Sequence, residues 1–147
     1  MSYTIITPHK NTPELLERLL GSVPVSIDAQ IIVVDDHSDA DKYRMVEHSC
    51  QQHHVELYTS EGRYAGGARN TGLKHARGEW VVFADADDYF YPYTFEILDK
   101  NKESDNDIIY FYFDSRDGVT NELIPDRVPN IKKGIENNDL NLLKYKS

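Results

Sequence analysis

Residues 31–36 read Ile31-Ile32-Val33-Val34-Asp35-Asp36, four β-branched residues followed by two acids. A run that is apolar at every position, and not only at alternate positions, predicts a strand covered on both faces. Residues 80–88 repeat the pattern as Trp80-Val81-Val82-Phe83-Ala84-Asp85-Ala86-Asp87-Asp88. The two stretches therefore predict two strands of a parallel sheet, each of which ends in carboxylates.

Extended and helical patterns alternate around these two stretches. Leu15, Leu16, Leu19 and Leu20 recur at helical spacing, and Pro13 ahead of them suits a first helical turn. Strands interleaved with helices favour parallel pairing, so we expect an α/β domain with a doubly wound, mostly parallel sheet and helices on both faces. We predict further strands at residues 3–7, 55–58 and 108–113, and helices at residues 12–20, 39–48, 68–76, 92–98 and 138–145.

The length and the charge of the chain limit the classes of protein to which it can belong. The chain has 147 residues, 39% hydrophobic and 28% charged, which suits one folded domain. Its 16 basic and 25 acidic residues leave a net charge of −9 at pH 7, which argues against nucleic acid as a partner. The longest apolar run, residues 108–113, is far shorter than the roughly 20 residues of a membrane span. We expect a cytoplasmic chain, with peripheral membrane association open for a longer form.

Five carboxylates follow the two strand ends: Asp35, Asp36, Asp85, Asp87 and Asp88. The carboxyl edge of a parallel sheet is where such proteins bind ligands. Carboxylates crowded there raise one another's pKa, so we expect a Mg²⁺ or Mn²⁺ ion, which prefers oxygen ligands, to offset the repulsion. A single aspartate after a strand is more often a helix or turn cap, but two clusters on one sheet favour a functional site.

A glycine-rich segment lies between the two acidic clusters. It reads Glu61-Gly62-Arg63-Tyr64-Ala65-Gly66-Gly67-Ala68-Arg69-Asn70-Thr71-Gly72. Glycines ahead of a helix let backbone N–H groups approach a phosphate, and the forked guanidinium of Arg69 adds further donors. The segment matches neither GxGxxG nor a Walker loop, so a flexible loop at a helix start explains it equally well.

Taken together, the pieces resemble the family 2 glycosyltransferases, which have the nucleotide-diphospho-sugar (GT-A, Rossmann-like) fold. The resemblance covers about residues 3–113 and depends on the order and spacing of modest blocks. The blocks are Thr4-Ile5-Ile6-Thr7-Pro8-His9-Lys10-Asn11, Ile32-Val33-Val34-Asp35-Asp36-His37-Ser38, Ala68-Arg69-Asn70-Thr71-Gly72 and Gly78-Glu79-Trp80-Val81-Val82-Phe83-Ala84-Asp85-Ala86-Asp87-Asp88.

The resemblance implies how a nucleotide would be bound. Thr7 and Pro8, at the end of the first strand, would line the nucleotide pocket. Asp36 matches the carboxylate that accepts a hydrogen bond from the base, usually uracil, and Asp35 would support that loop. Arg69 would lie near the nucleotide.

The resemblance also implies a metal site and a reaction. Asp85-Ala86-Asp87 matches the DxD motif, in which Asp85 faces the ribose or the water shell of the metal and Asp87 coordinates Mn²⁺ or Mg²⁺ on the diphosphate. The expected reaction transfers a sugar, with inversion, from a UDP-sugar or another nucleotide-diphosphate donor to a hydroxyl of a glycan or glycoconjugate acceptor. The metal stabilises the leaving diphosphate, and a carboxylate acts as general base.

The catalytic base itself is not identified by any motif. Asp114, Asp117, Asp126 and Asp139 follow the DxD block, and none of them matches the family's base. We therefore expect residues 1–147 to form a single nucleotide-sugar-binding domain, truncated before the acceptor-binding half.

Three other interpretations stay open. Residues 33–36, with Asp85 or Asp87 as phosphate acceptor and Lys132 or Lys133 as a later lysine, are also typical of a signalling receiver domain. The same DxD imitates the nucleophile of a haloacid-dehalogenase-like phosphatase. The third interpretation is a nucleotide-binding module without catalytic activity.

Overall fold

The computed structural model describes residues 1–105, 107–109 and 114–124. The chain divides into two compact units, Met1–Ser104 and Asp105–Ser147. The helix predicted at 138–145, and residues 110–113 of the last predicted strand, lie outside the described residues. Within the second unit, β5 (Ser115–Arg116) pairs antiparallel with β6 (Leu123–Ile124). The elements of the first unit are β1 (Tyr3–His9), α1 (Pro13–Ser22), β2 (Ala29–Asp35), α2 (Ala40–Gln52), β3 (Glu56–Thr59), α3 (Tyr64–His75), β4 (Trp80–Phe83) and α4 (Thr94–Asn101).

The first unit is built on a parallel sheet with the strand order β3-β2-β1-β4. Strand β1 lies between β2 and β4, with Ile6 opposite both Ile32 and Phe83, and all seven of its residues are buried. This arrangement confirms the predicted α/β class. The chain passes from β1 to β2 on one side and returns to β4 on the other, so the carboxyl ends of β1 and β4 flank a topological switch point, where such sheets form clefts.

Helices cover both faces of the sheet. On one face Ile5 and Val33 pack with Leu16, Val46 and Phe95, which come from three different helices. On the other face a smaller cluster joins residues of β1 and β2 to Ala68 of α3. Residues that alternate along a strand reach opposite faces, so each central strand is apolar throughout. Strand β4 is the end strand of the described sheet. The sequence predicted that both faces of this strand are covered, and this prediction is wrong at Phe83, which is 49% exposed.

Helix α3 begins at Tyr64, four residues before its predicted start at residue 68. Gly66 and Gly67 therefore lie in its first turn and do not form a loop ahead of it. A Cβ on Gly67 would lie 2.8 Å from the carbonyl carbon of Gly62, so this glycine allows two backbone segments to touch. One turn further on, a Cβ on Gly72 would lie 2.5 Å from Cγ2 of Ile6. The glycines of this segment thus serve close packing of the helix on the sheet.

A buried hydrogen-bonded network joins the carboxyl ends of β1 and β2. The imidazole of His9 donates from Nδ1 to Oδ1 of Asp35 at 2.9 Å, and the side chains are 0% and 1% exposed. The backbone N–H of Thr12 donates to Nε2 of His9 at 3.1 Å, so this nitrogen carries no proton and the ring is neutral. The backbone N–H of Ser38 donates to Oδ2 of Asp35 at 2.9 Å and its hydroxyl to Oδ1 at 2.5 Å.

These hydrogen bonds decide the ionisation of Asp35. Burial alone would raise the pKa of the carboxyl group, but the hydrogen bonds from His9 and Ser38 outweigh it and hold the pKa below its ordinary value. The expectation that all five carboxylates raise one another's pKa is therefore wrong for Asp35. This residue is an ionised structural acid that orders the loop after β2.

Replacing Gly72 with alanine tests the close packing of α3. We expect Gly72→Ala to lower the free energy of unfolding by roughly 1–2 kcal/mol, because overpacking costs about 1–3 kcal/mol and the better helix propensity of alanine returns about 0.5–1 kcal/mol. Gly66→Ala is the matched control, since no atom lies within 4 Å of its added Cβ, and it should stabilise the protein slightly. Urea denaturation measures both. Equal effects of the two substitutions would contradict the packing argument.

Replacing Asp35 with asparagine tests the buried network. We expect Asp35→Asn to lower the free energy of unfolding by roughly 1–3 kcal/mol near pH 7, because the amide cannot accept every hydrogen bond that the carboxylate accepts. The folded pKa lies below the unfolded value of about 3.9, so this stabilisation is complete above that value and is lost as the pH falls through the folded pKa.

Urea denaturation near pH 7 and near pH 3 gives the measurement. The gap in stability between the wild type and Asp35→Asn should shrink at the lower pH. The exposed Asp41, in the first turn of α2, serves as the control: Asp41→Asn should lower stability by less than about 1 kcal/mol, the usual contribution of an acid near a helix N-terminus. A gap of the same size at both pH values would show that the ionised carboxylate does not contribute.

Candidate functional site

A cleft of about 390 Å³ opens at the carboxyl ends of β1 and β4, beside the start of α3. This is the switch point of the strand order. The cleft is lined by residues from four chain segments, among them Pro8, Lys10, Asp36, Tyr64, Asp85 and Asp87. A second hollow of about 350 Å³ lies between α1 and α2, away from the acidic strand ends. Of the site residues predicted from the sequence, Pro8, Asp36, Asp85 and Asp87 therefore line the first cleft.

Asp36 forms one wall of the cleft and is held in place by its neighbours. Its backbone N–H donates to the carbonyl of His9 at 2.8 Å, which fixes it beside the end of β1. Its Oδ2 accepts the backbone N–H of Tyr64 at 3.0 Å and lies 3.8 Å from Nζ of Lys10. His37 approaches Oδ1 at 3.4 Å. The carboxylate is thus a buried, oriented hydrogen-bond acceptor next to a basic side chain.

Alternating burial positions the two aspartates of the DxD motif. Ala84 and Ala86 are buried and pack into the core cluster, whereas Asp85 and Asp87 are exposed. Both aspartates line the cleft, in a turn closed by the hydrogen bond from the backbone N–H of Asp88 to the carbonyl of Asp85. The loop is tied to α1, because the guanidinium of Arg18 donates to the backbone carbonyl of Asp87 and lies over the Tyr89 ring.

Arg69 neutralises one of these carboxylates. Its guanidinium forms an ion pair with Oδ1 of Asp85 and lies 5.9 Å from the centre of the Phe83 ring. Arg69 stands beside the cleft through this contact and is not one of its lining residues. The pair brings one fixed positive charge to an edge that otherwise carries several negative charges.

Asp88 does not line the cleft and closes the loop that carries the DxD aspartates. Its backbone N–H donates to the carbonyl of Asp85 at 2.9 Å, and its Oδ2 accepts the N–H of the same residue at 3.3 Å. Loss of solvent around the carboxyl group, together with the nearby charges of Asp87 and Asp85, raises the pKa of Asp88. The mutual effect expected from crowded acids is confirmed at this residue.

The donor set fits a divalent cation that takes its remaining ligands from elsewhere. The described part of the chain contains no group of three or more His, Cys, Asp or Glu side chains arranged to hold a metal. It does place Asp85 and Asp87 on one cleft, and no ion pair or hydrogen bond within the described ranges engages the carboxylate of Asp87. Mg²⁺ is commonly held by one or two carboxylates, with waters and substrate phosphates completing the octahedron.

The structure distributes the predicted site residues unevenly. Pro8 lines the cleft together with the aspartates, but Thr7 does not, because its side chain is fully buried within β1. Sequence reasoning missed Tyr64 and Arg18. The position of Tyr64 depends on a helix start that the glycines obscured, and Arg18 had as its only signal a basic residue among the leucines of α1.

Proteins of known sequence resemble this chain over much of its length. The glucosyltransferase WfgD of Escherichia coli, named as acting between UDP-Glc and α-D-GlcNAc-diphosphoundecaprenol, is 34% identical over 89 residues, or 58% of this chain and 34% of that protein. The poly(ribitol-phosphate) β-N-acetylglucosaminyltransferase TarP of Staphylococcus aureus is 32% identical over 114 residues, or 72% of this chain and 35% of that protein. The chain thus spans about a third of the length of these relatives.

Solved structures share the fold. The complex of Staphylococcus aureus TarS with UDP matches with a TM-score of 0.59 and 29% identity over 68% of this chain and 31% of that chain. A mannosyltransferase from Pyrobaculum calidifontis, in complex with GDP-Man and Mn²⁺, matches with a TM-score of 0.55 and 29% identity over the same shares of the two chains.

A family model excludes two of the three other interpretations left open by the sequence. The model described as glycosyl transferase family 2 matches residues 4–145, nearly the whole chain. The receiver and phosphatase interpretations are therefore wrong, and Lys132 and Lys133, on which the first of them depended, lie outside the described residues. The chain belongs to glycosyl transferase family 2, and its parallel sheet with flanking helices is the GT-A fold of these enzymes.

Proposed function

We propose that this chain binds a nucleotide-diphospho-sugar donor, with UDP as the nucleotide, and transfers the sugar with inversion to a hydroxyl of a glycan or glycoconjugate. One observation carries the proposal: Asp36, Asp85 and Asp87 line a single cleft at the switch point of the sheet. The similar structures crystallised with UDP and with GDP-Man and Mn²⁺ support the choice of ligand class.

Asp36 is the residue proposed to recognise the base. A buried carboxylate that already accepts one backbone N–H keeps further lone pairs for an N–H donor of the ligand. Uracil offers such a donor in its N3–H group. Pro8 provides an apolar wall, and Lys10 adds a positive charge on the same cleft. These features suit the base and ribose of a nucleotide more than an extended polymer.

The DxD aspartates are proposed to hold the cation. Asp85 and Asp87 would bind Mn²⁺ or Mg²⁺, whose chemistry there is Lewis-acid stabilisation of the charge that develops on the leaving diphosphate. Arg69 holds Asp85 at the cleft edge and adds a positive charge close to the same ligand. Arg18 keeps the loop in register by binding the backbone carbonyl of Asp87.

No residue is assigned as the general base. Asp117 is poorly suited, because its carboxylate accepts the backbone N–H groups of Thr120 at 2.7 Å and Val119 at 2.9 Å, which lower its pKa. It caps the turn between β5 and β6. Asp126 and Asp139 lie outside the described residues. The described residues therefore support a proposal for donor binding and not for activation of the acceptor.

The location of the chain is a further part of the proposal. Within the described ranges the longest helix, α2, has 13 residues, so no helix there could cross a membrane. We propose that the chain works in the cytoplasm and that a longer form meets its acceptor at the membrane periphery.

Titration calorimetry with UDP, GDP and dTDP, each with and without Mn²⁺, tests the proposal. We expect UDP to bind in the presence of Mn²⁺ and to bind at least about tenfold more weakly without it, a difference of ~1.4 kcal/mol. The proposed function would be contradicted if none of the three nucleotides bound. Release of UDP from a UDP-sugar then separates a transferase from a binding module without activity.

Asp87→Asn tests the proposed metal ligand. We expect at least about a tenfold loss of UDP affinity in Mn²⁺, or ~1.4 kcal/mol, because the neutral amide oxygen is a weaker ligand for a hard cation. Stability should not change, since the carboxylate makes no ion pair within the described residues. The control is Asp41→Asn, which removes the same charge from a residue that does not line the cleft. Equal UDP affinities of the wild type, Asp87→Asn and Asp41→Asn in Mn²⁺ would exclude a metal role for Asp87.

A further inference from the structure

Tyr64 has a backbone conformation that its side chain disfavours. Its φ is +62°, in the left-handed region. Four other non-glycine residues in the described part of the chain have a positive φ. All of them are Asn or His: Asn11, His37, His54 and Asn121. Those residue types tolerate this region better than a bulky aromatic residue does. A tyrosine here costs free energy that glycine or asparagine would largely avoid.

The backbone of Tyr64 has a clear task, but its side chain is not needed for that task. The N–H group of Tyr64 donates to Oδ2 of Asp36 at 3.0 Å, and this contact requires the chain to turn as it does. Any residue with an N–H group in this conformation would make the same contact. The conformation is therefore explained by Asp36, whereas the choice of tyrosine is not.

Packing does not explain the tyrosine either. The residue is 78% exposed, although it begins a helix whose other face is buried on the sheet. A ring so exposed contributes little hydrophobic stabilisation that could offset the strained backbone. Folding alone thus favours a different residue at this position.

The ring stands where a base would be bound. Tyr64 lines the same cleft as Asp36, Pro8 and Lys10. Asp36 can engage the hydrogen-bonding edge of a base, and an aromatic ring beside it can cover the flat face. The backbone contact between the two residues fixes their separation, so edge recognition and stacking would come from one rigid unit.

We propose that the Tyr64 ring packs on the nucleobase of the donor, which makes Tyr64 a specificity-determining residue of the nucleotide site. The inference depends on the proposed function, because it takes the ligand of the cleft to be a nucleoside diphosphate. It adds that base affinity comes from a strained, exposed aromatic residue at the start of α3. Tyr64 contacts the base and takes no part in the bond-making step.

Calorimetry with two ligands in Mg²⁺ tests the proposal: UDP, and inorganic pyrophosphate, which lacks the base. The variants are Tyr64→Asn and Tyr64→Gly, which suit positive φ without a ring, and Tyr64→Phe, which keeps the ring. We expect the first two variants to unfold in urea at the same or a higher midpoint than the wild type. They should bind UDP at least fivefold more weakly, by a rough stacking estimate, and pyrophosphate within twofold of the wild type. Tyr64→Phe should match the wild type with both ligands.

The possible results separate this inference from the proposed function. Unchanged UDP affinity in Tyr64→Asn and Tyr64→Gly would overturn the role of Tyr64 and leave the nucleotide site standing. Equal losses for UDP and pyrophosphate would also overturn it, because the ring would then act on the phosphate region or on the loop. Failure of the wild-type protein to bind UDP at all would remove the proposed function and this inference together.

Discussion

A buried hydrogen bond between His9 and Asp35 joins the carboxyl ends of β1 and β2, beside the cleft. The backbone N–H of Thr12 donates to the other ring nitrogen of His9, which leaves Nδ1 as the donor to Asp35. The hydrogen bond from His9 also keeps Asp35 ionised, and the hydroxyl and N–H of Ser38 complete the shell of that carboxylate. The next residue, Asp36, is thereby placed beside the end of β1. Asp36, which lines the cleft, is thus oriented by Asp35, which does not line it.

The cleft balances its negative charge with a few fixed cations. Arg69 pairs with Asp85, and Lys10 approaches Asp36, so two of the acids already have basic partners. Asp87 lacks such a partner within the described residues and is the carboxylate most open to a cation. A diphosphate alone would be repelled by this edge, whereas a diphosphate with a divalent cation meets oppositely charged groups. The electrostatics of the site thus favours metal and nucleotide together.

Part of this site could be predicted from residue patterns. The acidic residues at two strand ends and the parallel pairing of the strands follow from continuously apolar strands that alternate with helices. The start of α3 could not be predicted, because Gly66 and Gly67 read as loop residues until the contact of Gly67 with Gly62 is known. Thr7 was expected in the pocket on the resemblance alone, and its burial inside β1 could not be deduced from it.

By itself the sequence determined the class of fold, the family and the acidic edge, because these depend on local periodicity and on the order of short blocks along the chain. Only the tertiary structure decided which acids share a cleft, which of them are neutralised, and that the backbone of Tyr64 binds Asp36. Such contacts join residues 16 to 28 positions apart. Their geometry is set by how helices pack across the sheet, which no local pattern encodes.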